Sequence, residues 1–314
     1  MSAAYIFPGQ GSQTPGMGKA LAENFAPARA VFEEVDDAIG LRLTRIMWEG
    51  SAEELTLTAN TQPALMAVSL AVFRVLEAEA GLNLARDAAY VAGHSLGEYA
   101  ALAAAGSLGL ADTARLLRLR GEAMQAAVPA GQGAMAALLG LDFASASAVA
   151  DEAAQGEVCS AANDNGAGQV VISGSATAIE RAMELALAKG AKRAIKLPVS
   201  APFHSPLMQP AAEAMREALA KVEFRSPAVP LIANVHAAPI SDPEQIRTGL
   251  VDQVTGTVRW RESIEMMAGA GVDCFYELGA GKVLSGLAKR IAAGASSSSI
   301  GTPDDVAAFV ASRG

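Results

Sequence analysis

The chain has 314 residues, 51% hydrophobic and 18% charged, enough for a large core in one domain that carries an insertion. A net charge of −9 argues against a nucleic-acid partner, and charged residues interrupt every apolar run before it could span a bilayer. Two cysteines make neither a disulfide framework nor a metal site, and the first residues lack a secretory-signal pattern, so a cytoplasmic protein without bound metal is expected.

In chain order, "AAYIFPG" reads as a strand, and "MGKALAENFAPARAVFEEVDDAIG" and "TQPALMAVSLAVFRVLEAEAG" as helices. "AYVAG" is a second strand, followed by an Ala-rich helix and another from Asp112 to about Val128, with Asp112 as the expected N-cap. Residues 131–198 change character. "GAMAALLGL", "FASASAVADEAA", "EVCSAANDNG", "GQVVISG", "ATAIERAMELALAKG" and "KRAIKLPV" follow in the order βαββαβ, that of a ferredoxin-like unit inserted into a larger one. Then "PLMQPAAEAMREALAKV" is a helix, "VPLIANV" a strand, "RWRESIEMMAGAG" a helix and "CFYELG" a strand, with one last helix. The tail "GASSSSIGTPDD" looks flexible. The fold class is therefore α/β, with a large subdomain over 1–130 and 199–314 and a small one over 131–198.

"YVAGHSLGEYAALAAAG" brackets Ser95 with glycines, between a strand end and a helix, which is the setting of a G-x-S-x-G nucleophile elbow. A serine needs an adjacent base, because its own proton leaves only far above neutral pH. Three histidines compete. His94 adjoins Ser95, but successive strand side chains point to opposite faces, so a core or supporting role suits it better. His236, in "ANVHAAPI", reads as structural or surface. His204, in "VSAPFHSPLM", sits in a proline-stiffened loop where Ser205 and Pro206 form an N-cap and N1 pair. The positive end of the helix beyond would keep its imidazole neutral, as a general base requires. The acids between Ser95 and His204, among them Asp112, Glu122, Asp142 and Asp151, fall on helices, at helix starts or inside the small subdomain. A main-chain carbonyl is thus the expected orienting group.

On the helix after Asp112, Thr113, Leu116, Leu117, Arg120, Met124 and Ala127 recur at helical spacing and form one face. Arg115, Arg118 and Glu122 lie on the other, with Arg118 and Glu122 as an i,i+4 pair. Arg120 therefore points into protein, where a guanidinium must meet a carboxylate. That carboxylate belongs either to the chain, as an internal salt bridge, or to a substrate gripped by the planar fork. The loop "FPGQGSQTPGMG" is neither a Walker motif nor G-x-G-x-x-G. Its glycines let main-chain N–H groups approach a ligand, so it could supply one donor of an oxyanion hole, with Leu96 supplying the other.

Taken together, "FPGQGSQ", "TQPAL", "GHSLGEYAAL", "RGEAMQ", "NDNGAGQVVISG", "VSAPFHSPLM" and "ELGAGKVLSGL" resemble, in this order, the malonyl-CoA:acyl carrier protein transacylases. The resemblance covers essentially the whole chain and implies an α/β-hydrolase-like large subdomain, with the active site in the cleft beside the small one. It implies Ser95 as the nucleophile, His204 as the base and the amides of Gln10 and Leu96 as the oxyanion hole. Arg120 would bind the malonyl carboxylate, and the main-chain carbonyl of Gln253 would orient His204. Gln62, Met124 and Asn163 match positions near the substrate, and Phe203 fits the malonyl-selective pattern. Ala280 stands where proline is common. The resemblance further implies no cofactor, since malonyl-CoA and the phosphopantetheinylated carrier protein are substrates, and a monomer. Arg115, Arg118, Lys189, Lys192, Arg193 and Lys196 are candidates to meet the acidic carrier. An esterase or thioesterase, a non-catalytic acyl-CoA-binding subunit and an acyltransferase of polyketide synthesis are the alternatives.

Overall fold

The computed structural model describes residues 2–199 and 201–313; Ser200, inside "VSAPFHSPLM", and the end residues Met1 and Gly314 lie outside the described residues. The strands, in chain order, are β1 (Ala3–Phe7), β2 (Tyr90–Gly93), β3 (Gly133–Leu139), β4 (Cys159–Asp164), β5 (Gln169–Ser175), β6 (Arg193–Lys196), β7 (Leu231–Ala233), β8 (Ala238–Ile240), β9 (Cys274–Leu278) and β10 (Ser296–Ile300). They form a six-stranded sheet in the order β10-β9-β1-β2-β7-β8 and a four-stranded sheet in the order β4-β5-β3-β6.

The larger sheet is parallel except for β8, which pairs antiparallel with β7 at one edge. Its central strand reads "AAYIF" and is buried throughout, as a strand covered by helices on both faces must be. Alternation sends Tyr5 and Phe7 into one core and Ala4 and Ile6 into the other. The smaller sheet is antiparallel throughout. Ala136, Leu138 and Ile172 pack under the helices Phe143–Ala154 and Ala176–Ala188, whereas Met135, Ala137 and Val171 face the main core. The two sheets meet along a backbone seam. Asp164 donates its N–H to the Val258 carbonyl, Val258 donates to Ala162, and Arg261 pairs with Asp164 at 2.9 Å.

Several elements depart from the sequence expectation for physical reasons. The first predicted helix is two, Lys19–Asn24 and Ala26–Ile39, because Phe25 turns extended and Pro27 starts the second. The helix assigned from Asp112 runs over Leu110–Ala126 with Gly109 as its N-cap; Asp112 lies in its first turn and pairs with Arg115. A helix over Pro243–Thr255, capped by the Asp242 side chain, fills a segment for which no element was expected. The serine-rich tail is ordered. Its serines form β10 through main-chain pairing with β9, and the helix Pro303–Arg313 docks Phe309 edge-on against Tyr276 at 5.2 Å.

One contact positions the site. Helix Leu110–Ala126 presses onto the start of helix Thr58–Ala80, with Gly121 against the backbone of Ala59. Pro63 has no N–H to give the Ala59 carbonyl, and Arg118 Nη1 donates to that carbonyl at 3.3 Å. A Cβ on Gly121 would lie 2.5 Å from Ala59 Cα and 2.7 Å from the Thr58 carbonyl oxygen. Replacing a helical glycine by alanine ordinarily stabilises by about 1 kcal/mol, but forcing two backbones apart costs about 1–3 kcal/mol. The overlap with main chain decides the sign. Gly121→Ala is expected to lower the urea midpoint of unfolding; an unchanged or raised midpoint would show that the two helices can separate freely.

Candidate active site

A cavity of about 440 Å³ opens between the two sheets. Gln10, Gln62, Ser95, Leu96, Arg120, Met124, Asn163, Phe203 and His204 all line it. Gln253 lies behind them and is fully buried.

Ser95 stands between β2 and the helix Gly97–Ala104, at φ 52°, in the left-handed region that costs a non-glycine residue about 1–3 kcal/mol. The glycine bracket is a steric requirement. A Cβ on Gly93 would sit 1.9 Å from the Gly97 carbonyl carbon, and one on Gly97 would sit 2.2 Å from the Phe7 carbonyl oxygen. Asn234, just past β7, fixes the turn: its Oδ1 accepts the Ser95 N–H at 2.8 Å and its Nδ2 donates to the Gly93 carbonyl at 2.7 Å. The N–H of the next residue, Leu96, and that of Gln10 donate to no partner among the described residues.

His204 Nε2 lies 2.8 Å from Ser95 Oγ. On the other side, Nδ1 lies 2.8 Å from the Gln253 main-chain carbonyl. A carbonyl only accepts, so Nδ1 carries the proton and Nε2 presents a lone pair to the serine hydroxyl. His204 is itself left-handed, at φ 56°. The reason for its neutrality differs from the sequence expectation. A three-residue turn, Pro206–Met208, precedes the helix Gln209–Leu219, and Ser205 Oγ donates to the Pro202 carbonyl instead of capping. Burial, and after it the charge of Arg120, brings the imidazole pKa down to about 3.

Arg120 is buried and has no carboxylate within ion-pair distance among the described residues. Nη1 donates to Gln62 Oε1 at 2.7 Å, and Nη2 donates to Gln253 Oε1 at 2.8 Å and to Ser95 Oγ at 3.2 Å. The Tyr99 ring lies 5.7 Å below the guanidinium, and Nε has no partner among the described residues. The acceptors are themselves oriented. Gln62 Nε2 donates to Thr58 Oγ1 at 2.9 Å and contacts Met124 Sδ at 3.6 Å, and Thr58 Oγ1 donates to Gln10 Oε1 at 3.0 Å. The sequence left open whether Arg120 meets a carboxylate of the chain. It does not.

An acyl transferase domain model matches residues 4–299. The chain belongs to the acyl transferase domain family. It is 46% identical over 305 residues to the malonyl CoA-acyl carrier protein transacylase of Escherichia coli K12, covering 97% of both chains. Among solved structures, an acyl-carrier-protein S-malonyltransferase from Bartonella henselae matches with a TM-score of 0.97 and 58% identity, over 100% of this chain and 99% of that one. A malonyl-transacylase solved in complex with a type II PKS acyl-carrier protein matches with a TM-score of 0.95 and 41% identity, over 99% and 100%.

Within this acyl transferase, the other histidines stand apart from the serine–histidine contact. His94 Nε2 lies 2.9 Å from Asn165 Oδ1, with its ring beside Trp260, and His236 is exposed. Of the basic residues singled out above, Arg115, Arg118, Lys189 and Lys196 are paired with Asp112, Glu122, Glu152 and Glu180. Lys192 and Arg193 are exposed. Sequence reasoning missed Asn234 and Glu98. The signals were there: a lone polar residue ending the apolar "LIAN", and a lone charge in the otherwise uncharged "GEYAALAA". For His204 the expected outcome is an imidazole that stays a neutral Nδ1–H tautomer from pH 8 to pH 5 in nitrogen-detected NMR. Titration near the ordinary 6.5 would show that the ring is not buried as described.

Proposed function

We propose that this chain transfers the malonyl group from malonyl-CoA to the phosphopantetheine thiol of acyl carrier protein, through a malonyl ester on Ser95. One observation carries the reading: a buried guanidinium without a carboxylate partner among the described residues stands 3.2 Å from a serine hydroxyl that faces a neutral imidazole. The names of the relatives agree with it.

In the first half-reaction His204 Nε2 takes the Ser95 proton as Oγ attacks the thioester carbonyl. The N–H groups of Gln10 and Leu96 receive the oxyanion, a contribution of about 10²–10³ in rate for each such donor. The protonated His204 then hands its proton to the departing CoA thiolate. In the second half the carrier thiol gives its proton to His204 and attacks the ester, and Ser95 is restored. This is ping-pong chemistry. The Gln253 carbonyl stabilises the imidazolium and holds its tautomer, in the place where many hydrolases use an acid. Arg120 grips the free malonyl carboxylate, exchanging its contact with Ser95 Oγ for one with the acyl group. Gln62, Met124, Asn163 and Phe203 shape the space around that group.

Residues 1–130 and 199–314 form an α/β-hydrolase-like unit, and 131–198 a ferredoxin-like one, which the strand order β4-β5-β3-β6 supports. The protein acts in the cytoplasm as a monomer, without a resident cofactor, and supplies fatty acid synthesis. Service to polyketide synthesis is the second reading, favoured by the relative solved with a type II PKS carrier.

Incubation with malonyl-CoA is expected to add the mass of one malonyl group, mapping to Ser95 and absent after Ser95→Ala. Recovery of free malonate without an adduct would favour a thioesterase. Arg120→Ala is expected to lower kcat/KM for malonyl-CoA about 10²–10³-fold while leaving acetyl-CoA within about tenfold. Unchanged malonyl preference would remove the carboxylate role.

A further inference from the structure

Behind Arg120 lies a buried charge that the mechanism above does not use. Glu98 sits in the first turn of the helix Gly97–Ala104, three residues after Ser95, and is 1% exposed. Its Oε2 accepts the Asn234 N–H at 3.1 Å and Gln253 Nε2 at 2.8 Å. The same Gln253 side chain accepts from Arg120 Nη2 at 2.8 Å through its Oε1. One amide therefore stands between a buried cation and a buried anion, with its N–H₂ end on Glu98 and its C=O end on Arg120. Nε2 also donates to the Ser95 carbonyl at 3.0 Å, so the amide cannot turn over without breaking several bonds.

This spacing has an electrostatic consequence. Glu98 balances the charge of Arg120 without touching it, which leaves the guanidinium face at Ser95 open. When a substrate carboxylate takes that face, two anions share one cation in a buried site. Excess buried charge is costly, and a carboxyl near its point of neutrality relieves it by taking a proton. Neutral Glu98 can still accept both N–H groups through its carbonyl oxygen, so the network keeps its shape.

We propose that Glu98 is the internal counter-charge of Arg120 and takes a proton from solvent when a substrate carboxylate binds that guanidinium. The proposal rests on the reading that Arg120 binds the free acyl carboxylate. It makes Glu98 a positioning residue that acts through Gln253, and it ties selection of a carboxylated acyl group to proton uptake. The groups facing Glu98 are Arg120 from the helix Leu110–Ala126, Tyr99 from its own helix, Gln253 from the helix Pro243–Thr255 and Asn234 beyond β7. Arg120 is the one cation among them. His204 touches the main chain of Gln253 and not its side chain. Burial pushes the Glu98 carboxyl up to about 7, with Gln253, Asn234 and Arg120 pulling the other way. The free site is thus poised for uptake near neutral pH.

Calorimetric titration of Ser95→Ala protein with malonyl-CoA, in buffers of different ionisation enthalpy, measures the protons taken up without acyl transfer. About half a proton is expected at pH 7 and close to one at pH 8, from a carboxyl titrating near 7. Acetyl-CoA, which lacks the carboxylate, is expected to take up none, and adding Glu98→Gln is expected to abolish the malonyl-CoA uptake. Equal uptake with both thioesters, no uptake with either, or full uptake retained after Glu98→Gln would overturn the proposal. A reading independent of that variant comes from the native enzyme. Its kcat/KM for malonyl-CoA should fall above about pH 7 relative to that for acetyl-CoA, and parallel profiles would count against Glu98. Arg120→Ala separates the two layers. If, in the Ser95→Ala background, malonyl-CoA binds no more weakly without the guanidinium, the carboxylate reading itself fails; if binding weakens but Ser95→Ala protein with Arg120 intact shows no uptake, only the role of Glu98 fails.

Discussion

The site is organised around a cation that no carboxylate among the described residues touches. A guanidinium removed from water loses several kcal/mol of hydration, and a chain that meant only to bury it would place a carboxylate on its fork. Here the fork rests on two glutamine carbonyls and a serine hydroxyl, with a tyrosine ring below. Neutral acceptors satisfy N–H groups yet leave the charge in place. In the proposed reaction a substrate carboxylate meets this oriented guanidinium beside the hydroxyl that the thioester carbonyl acylates.

Each neighbour of Arg120 has a reason for its direction. Gln62 is turned by Thr58, which is tied in turn to Gln10, whose loop borders the expected oxyanion position. Gln253 is turned by Glu98 and also lends its main-chain carbonyl to His204. One residue thereby links the buried cation to the histidine that faces the serine. Ser95 and His204 are both held in left-handed backbone, a strain that packing around the two glycines and the Asn234 staple sustains. The smaller sheet covers this assembly with its apolar face, so the cavity is walled by two sheets that meet along a backbone seam.

How much of this could be seen in the sequence depended on the range of each signal. Local patterns carried far. The glycine bracket marks Ser95, helical spacing places Arg120 on the inward face, and scarcity of histidines narrows the choice to His204, which lies 2.8 Å from Ser95. The α/β alternation was legible for the same reason. Elements held by main-chain pairing alone were not: β10 is four serines and an isoleucine, and nothing in its side chains signals a strand. The cause of the neutral His204 was misjudged because burial is a tertiary quantity, whereas a following proline suggests a helix start locally. Glu98 and Asn234 stayed hidden because their importance is a matter of what faces them across 136 residues of chain.

The claim that a substrate carboxylate completes this site is tested most directly by a structure of the enzyme trapped with its acyl group on Ser95. The account places the free carboxylate in paired contact with Arg120, whose link to the serine oxygen has been given up, and leaves Gln253 still joining Arg120 to Glu98. A carboxylate pointing into solvent, with the guanidinium unmoved, would contradict it.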